Sequence, residues 1–154
     1  MELPSEGPYT LANLRAPACL VDGFAVGPAD DEGVATLEVR VEAGRLAPPA
    51  GGPRLDAGGR MVWPAPVDVH THLDKGHIWP RARTADGGFW TALETVRRDR
   101  ETNWRAEDVA RRMDFALRCA WAHGTSAVRT HLDSAAPQDA ISWPVFAELR
   151  ERWA

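Results

Sequence analysis

The feature that most constrains this chain is a short apolar strand followed by a long helical stretch and a second strand. The first strand spans Val67–Leu73 and begins after prolines, which cannot donate to a sheet. Apolar residues then recur at spacings of three and four over 89–123, which predicts helices on both sides of Asn103, with Asn103 as a cap. A second strand is predicted over 125–133, and a further helix with Ser142 as its N-cap. This order predicts an α/β fold with parallel strands.

Residues 1–62 have a different character and predict a small β module. Apolar and charged residues alternate over 36–42, and a Gly-containing turn leads to a return strand at 45–47, which predicts a hairpin. Another strand is predicted over 9–15. Residues 48–60 are rich in proline and glycine and are expected to be an irregular connector.

Charge and cysteine usage exclude several classes of protein. The chain has 18 Lys and Arg against 22 Asp and Glu, a formal charge of −4, which argues against a nucleic-acid surface. No apolar run approaches the ~18 residues of a membrane helix, and the N-terminus lacks the pattern of a signal peptide. Cys19 and Cys119 are far apart, so no disulfide framework is predicted. We therefore expect a reduced, cytoplasmic setting with no membrane.

The arginines and tryptophans of the helical region have ordinary structural interpretations. Acidic residues precede arginines by four positions, which supports helices and predicts solvated, neutralised helix faces. These pairs are Glu94/Arg98, Glu101/Arg105, Glu107/Arg111, Asp108/Arg112 and Asp114/Arg118. Most of the seven tryptophans are expected to pack in cores, whereas Trp79 and Trp90 are placed to line a mouth.

The chemistry of the chain is concentrated at the end of the first strand. Asp68, His70 and His72 are two residues apart and therefore face the same side, while the apolar residues of Val67–Leu73 face the other side and pack beneath helices. Removing ionisable side chains from water at the end of a buried strand costs free energy unless another interaction offsets the cost. A divalent metal ion offsets it by binding two imidazoles at ~2.0–2.1 Å. Asp68 or Asp74 is then expected to orient an imidazole. A His-x-His pair also occurs in hydrogen-bonded surface strands.

Three stretches of the sequence together resemble a known family. Residues 67–75, VDVHTHLDK, resemble the first barrel strand of the amidohydrolase superfamily, in its cytosine deaminase-like branch. The resemblance continues through 86–90, DGGFW, to 122–133, AHGTSAVRTHLD, which resembles the second barrel strand of that branch. The segments upstream that resemble the small β-sandwich of these enzymes are Leu11–Arg15, Gly44–Leu46 and Asp56–Pro64.

The resemblance implies a particular domain organisation. Residues 1–62 correspond to an N-terminal small β-sandwich module, and 63–154 to the first two β/α units of a (β/α)8 TIM-type barrel. A complete barrel needs at least ~200 residues, so the barrel is expected to be incomplete in this chain.

The resemblance also implies an activity, that of a metal-dependent hydrolytic deaminase acting on cytosine or a related aminopyrimidine and releasing ammonia. His70 and His72 match the first two ligands of one divalent ion, iron or zinc, which lowers the pKa of a bound water. The other ligands and the proton-transferring residues of the family lie on later strands. No catalytic residue is therefore assigned within this chain.

Five further residues are candidates for supporting the metal ligands or lining a substrate pocket: Asp68, Asp74, Lys75, His131 and Asp133. His131 and Asp133 follow the second strand, where barrels present functional groups, although structural hydrogen bonding is the alternative. His131 is not expected to be a ligand, because the family does not use that position so. Lys75 either lies near the substrate or is a solvated loop cation.

Other interpretations of the whole chain stay open. One is a different amidohydrolase that acts on triazine amines or cyclic amides. Another is an inactive fragment or a non-enzymatic association module, since an unclosed sheet edge pairs readily with other chains. The partners expected are a small heterocycle, further copies of the chain in a homo-oligomer, or a second chain that supplies the remaining strands.

Overall fold

The structure is a computed structural model that describes residues 2–84 and 86–154. The chain divides into two compact units, Met1–Pro64 and Ala65–Ala154. Unit 1 is built from strands and unit 2 from strands and helices, so the predicted α/β class is confirmed. Among the described residues, no helix combines the length and apolarity needed to cross a lipid bilayer.

Unit 1 contains one four-stranded sheet with the order β3-β2-β1-β4. Its strands are β1 (Tyr9–Pro17), β2 (Val34–Glu42), β3 (Arg45–Ala47) and β4 (Arg54–Asp56), with a short 3-10 turn at Ala18–Leu20. The predicted hairpin is confirmed, because β2 and β3 pair antiparallel. The connector prediction missed β4, which pairs parallel with β1. A three-residue strand between proline and glycine residues is too short to show a periodic pattern. Its strand conformation is determined by pairing with the neighbouring strand.

The core of unit 1 lies on one face of this sheet. Alternation along β2 buries Leu37 and Val39, as the pattern predicts. The buried residues of this core are Leu14, Ala16, Leu37, Val39 and Ala57. Irregular segments, rather than a second described sheet, contribute Val21, Phe24 and Val62 to it. In the described residues the expected β-sandwich is therefore represented by one sheet and its covering coil, without a second sheet.

Unit 2 follows the predicted order of strand, helices, strand and helix. Its elements are β5 (Val67–Thr71), α1 (Phe89–Asn103), α2 (Ala106–Ala122), β6 (Ala127–Thr130) and α3 (Asp139–Arg152). The two strands pair in parallel, with α1 and α2 in the connection between them. Gly124 has φ 81° just after α2, as expected of a residue that ends a helix.

Both predicted helix caps are wrong, and for the same physical reason. The Asn103 side chain donates to Asp99 Oδ1 at 2.8 Å instead of capping α2, which begins after Arg105. Ser142 lies inside α3, fully buried, where its hydroxyl accepts a hydrogen bond from Gln138 Nε2 at 3.0 Å. In each case a tertiary or helix-internal partner satisfies the side chain that could otherwise have capped a helix.

The core of unit 2 lies between α2, α3 and the inner residues of the strand ends. Its buried members are Leu73, Trp104, Val109, Met113, Val145 and Leu149. The expectation that the apolar residues of the first strand pack beneath helices is correct for Leu73 but wrong for Val67 and Val69, which are 55% and 67% exposed. Within the described residues, α2 covers only the end of β5.

The expectation that most tryptophans pack in cores is correct for Trp104, which is buried, but wrong for Trp63, Trp121 and Trp143, which are at least half exposed. Trp79 and Trp90, which were expected to line a mouth, are also exposed. A two-stranded sheet offers too little apolar surface to cover three helices, so large side chains stay on the outer faces.

Candidate metal centre at the ends of two parallel strands

The candidate site lies where β5 and β6 end side by side. Thr71 pairs with Thr130 across the two strands, and the His131 N–H donates to the Thr71 carbonyl at 2.8 Å. Because the strands are parallel, their carboxyl ends meet at one edge. His72 and His131 therefore leave the sheet together, next to His70.

The three imidazoles form a close group. The centre of the His70 ring lies 5.5 Å from that of His72, and the His131 ring lies 4.4 Å from His70 and 5.4 Å from His72. Two imidazoles whose nitrogens bind one ion at ~2.0–2.1 Å have ring centres roughly 5 Å apart, so the spacing of the predicted pair is compatible with a shared ion. The structure thus brings His131 to the pair, a contact that the sequence left undecided.

The electrostatic surroundings of the two predicted ligands differ. His70 is exposed, whereas His72 is partly buried and its Nδ1 has no hydrogen-bond partner among the described residues. Burial lowers the pKa of His72 below its usual value, and the positive charge of Lys75 lowers it further. His72 is therefore held in the neutral form, which is the form that binds metal.

Asp74 is the buried acid of the group. It is fully buried, and its Oδ2 accepts the Asp133 N–H at 2.7 Å, which ties the segment after β5 to the segment after β6. Its Oδ1 is buried without a partner among the described residues. Burial raises the pKa of Asp74, and the hydrogen bond from Asp133 opposes that rise only in part.

The remaining predicted residues occupy distinct positions. Asp68 accepts the backbone N–H of His70 at 3.1 Å, so its carboxylate contacts the main chain of His70. Lys75 Nζ lies 2.7 Å from Asp133 Oδ1, and Arg100 lies 3.4 Å from the other oxygen of that carboxylate. Lys75 is thus an ion-paired residue at the site rather than a solvated cation.

The donor set fits part of a metal centre. Neutral imidazoles suit iron and zinc, and a catalytic zinc site ordinarily has three protein ligands. Within residues 2–84 and 86–154, no group of three His, Cys, Asp or Glu side chains is arranged to hold an ion alone. The two histidines therefore fit as two ligands of a metal centre. Its other ligands would have to come from outside the described part of the chain.

Sequence reasoning missed a buried ion network beside this site. Asp108 and Arg112 were expected on a solvated helix face, but the structure buries both of them, together with Asp99. The signal was present in the spacing: Asp108 and Arg112 immediately precede Val109 and Met113, so both pairs lie on one face of α2. The apolar pair marks that face as buried.

An apolar cavity of about 370 Å³ lies elsewhere in unit 2. Its lining includes Trp121, Ser126, Phe146 and Trp153, and none of its lining residues is a histidine. The lining runs from Ser126, which precedes β6, to Thr130 at the end of that strand, and it includes Leu73. The imidazoles able to bind a metal are not part of this lining.

The chain is 48% identical over 160 residues to the pterin deaminase of Rhizobium rhizogenes, a match that covers 99% of this chain and 36% of that protein. No protein-family model matches the chain.

A solved structure shares the fold. The crystal structure of 5-methylcytosine deaminase from Klebsiella pneumoniae, liganded with 5-fluorocytosine, matches with a TM-score of 0.60 and 20% sequence identity. The match covers 93% of this chain and 33% of that one. The chain thus spans about a third of the length of each of these two relatives.

Proposed function

Because the chain belongs to the amidohydrolase superfamily, in its cytosine deaminase-like branch, we propose that it forms the first part of a metal-dependent hydrolytic deaminase. In this proposal unit 1 is the β module that precedes the barrel, and unit 2 supplies the first two β/α units. The observation that carries the proposal is the pair of imidazoles at the end of β5, with ring centres 5.5 Å apart, beside the end of the parallel strand β6.

The substrate proposed is an amino-substituted pyrimidine ring, either free or fused as in a pterin. Pterin contains an aminopyrimidine ring, so the expectation of a cytosine-like substrate and the 48% identity to a pterin deaminase point to one chemical class. The reaction consumes one water and releases one ammonia, and the ring carbon exchanges its C–N bond for a C–O bond.

His70 and His72 would hold one divalent ion, iron or zinc, through their imidazole nitrogens. The ion, when bound, supplies Lewis-acid activation of water. Asp74 fixes the end of β5 against the end of β6 through the Asp133 amide. Lys75 and Arg100 hold the Asp133 carboxylate between them, so that these charges sit in defined places at the mouth of the site.

Metal binding tests the proposed site in this chain directly. We expect Zn²⁺ titrated into the wild-type chain in a calorimeter to bind at one site, and His70→Ala and His72→Ala each to abolish that binding. His123→Ala is the matched control, because His123 is exposed at the end of α2 and its ring bonds the Cys119 carbonyl. Binding that survives both of the first two substitutions would overturn the proposed ligands.

Ammonia release tests the activity. The protein that carries this sequence is incubated with pterin, cytosine and an amino-triazine, and ammonia is measured by a coupled assay. We expect release from pterin or cytosine, and loss of release after His72→Ala. Release from the triazine alone would assign the chain to a different amidohydrolase activity and refute the proposed substrate class.

A further inference from the structure

Arg112 is a buried arginine in the middle of α2 whose guanidinium contacts the segment that follows the histidine pair. Only 7% of its side chain is exposed. Arginine is rarely buried unless its charge is paired, so its contacts identify what it holds. Nε and Nη1 have partners, whereas Nη2 is buried without one among the described residues.

The guanidinium makes three kinds of contact. Its Nε donates to Asp108 Oδ2 at 2.8 Å, and its charged carbon lies 4.8 Å from the centre of the Trp104 ring. Its Nη1 donates to the Gly76 carbonyl at 3.1 Å and also to the Asp74 carbonyl. These two carbonyls lie in an irregular segment, where no strand pairing or helix supplies hydrogen-bond donors. The Arg112 side chain therefore supplies the donors instead.

Those two carbonyls belong to the turn that ends β5. The turn begins at His72, whose carbonyl accepts the Lys75 N–H at 3.2 Å. On its other side the turn is tied to the end of β6, since the Asp74 carboxylate accepts the Asp133 N–H. Arg112 and Asp133 thus hold the main chain next to His72 from two directions.

The middle of the same segment is held by the partner of Arg112. Asp108 also accepts hydrogen bonds from Arg81, which in turn donates to Asp99 at 2.8 and 2.9 Å. The network therefore joins the start and the middle of the segment between His72 and α1 to the helices. Its junction is Asp108, which bonds both arginines.

We propose that Arg112 is a positioning residue that fixes the turn after His72 and, through it, the placement of the His72 imidazole. The proposal rests on the proposed function, in which His72 holds a metal ion. The hydrogen bonds of the Arg112 side chain go to Asp108 and to the Asp74 and Gly76 carbonyls, not to an imidazole. A purely structural role in helix packing predicts lower stability but no selective effect on the turn or on metal binding.

The first test uses the metal-free chain. Hydrogen exchange of the Lys75 and Asp133 amides, measured by NMR, reports the two hydrogen bonds that hold the turn. These are the bonds from the Lys75 N–H to the His72 carbonyl and from the Asp133 N–H to the Asp74 carboxylate. We expect Arg112→Met to accelerate both by roughly tenfold or more, while amides in the middle of α2 change less. Arg118→Met is the matched control, because Arg118 Nε bonds Asp114 Oδ2 with the same i,i+4 spacing on the same helix but is 69% exposed.

The second test measures Zn²⁺ affinity by competition with a chelator. We expect Arg112→Met to weaken binding by roughly 10- to 100-fold, as is typical of residues that orient metal ligands. Arg112→Lys should give a smaller loss, since one ammonium group cannot reach Asp108 and both carbonyls together. Arg118→Met should leave the affinity unchanged.

The outcomes separate the two proposals. If the wild-type chain binds no Zn²⁺, the proposed metal site fails, and the exchange measurement still decides whether Arg112 fixes the turn. If Arg112→Met does not fold, Arg112→Lys, which keeps the buried charge, decides both measurements. Exchange and affinity that match those of Arg118→Met in every folded Arg112 variant would overturn the inference.

Discussion

Asp108→Asn removes one charge from the ion network that supports the candidate site. The Asp108 carboxylate is only 12% exposed and accepts hydrogen bonds from Arg81 at 2.9 Å and from Arg112 at 2.8 Å. The bond from Arg81, followed by that from Arg112, outweighs burial and holds the pKa of Asp108 at about 2. That shift corresponds to roughly 2–3 kcal/mol of stability at neutral pH. Because the variant also leaves the buried Arg112 guanidinium without its charged partner, we expect a loss of about 3 kcal/mol.

The same reasoning predicts how this contribution depends on pH. Since the pKa of Asp108 is lower in the folded chain than in the unfolded chain, the stabilisation is fully present above the unfolded value. It is lost as the pH falls through the folded value, and on the order of half of it is gone by about pH 3. The difference in stability between wild type and Asp108→Asn should therefore shrink on acidification.

Glu94→Gln is the control that separates burial from the number of ion pairs. Glu94 also bonds two arginines, Arg97 and Arg98, and hydrogen bonds from them, that of Arg97 first, hold its pKa at about 2. Its side chain is 40% exposed, so water and salt screen those pairs, and we expect a much smaller loss. Urea unfolding followed by far-ultraviolet circular dichroism is the assay, because α1, α2 and α3 all lie in unit 2. Equal losses for the two variants would refute the reasoning.

Two further predictions use the same urea assay. Trp104→Phe keeps an aromatic ring but removes the indole N–H that donates to Asp99 at 2.7 Å, and should cost about 1–3 kcal/mol. Trp121→Phe, at a 73% exposed position, should change stability by no more than about 0.5 kcal/mol, and a similar loss in both variants would contradict the prediction. Thr130→Val removes the hydroxyl that accepts the Leu73 N–H at 3.1 Å, and should cost roughly 1 kcal/mol. Unchanged hydrogen exchange of the Leu73 amide in this variant would contradict that expectation.

The parts of the fold that could be predicted are those with a local periodicity. The alternation along β2 and the three- and four-residue spacing along α2 each bury one face, so the pattern and the structure agree there. The short strand β4 depends on a partner distant in sequence, and the end of α1 depends on a side-chain contact within the helix. Arg54 is placed by pairing with Thr10, and Asn103 is drawn away from a capping role by Asp99.

Only the part of the candidate site that lies on a single strand could be predicted from the sequence. His70 and His72 share a face because of strand geometry, so their pairing followed from the sequence. The approach of His131 to His70 required the parallel register of β5 and β6, which no local pattern contains. The same holds for the hydrogen bond between Asp74 and the Asp133 amide.

The arginine network explains why charged residues occupy a face of α2 that also buries Val109 and Met113. The segment between β5 and α1 is irregular, and its buried carbonyls need donors that apolar side chains cannot supply. A buried arginine supplies several donors in a fixed plane, and it requires a buried acid beside it, which is Asp108. Replacing both Arg112 and Asp108 with apolar residues would keep the core packed. It would, however, leave the carbonyls of the turn after His72 without hydrogen-bond donors. The network is therefore better explained by the position of that turn than by the stability of the helices.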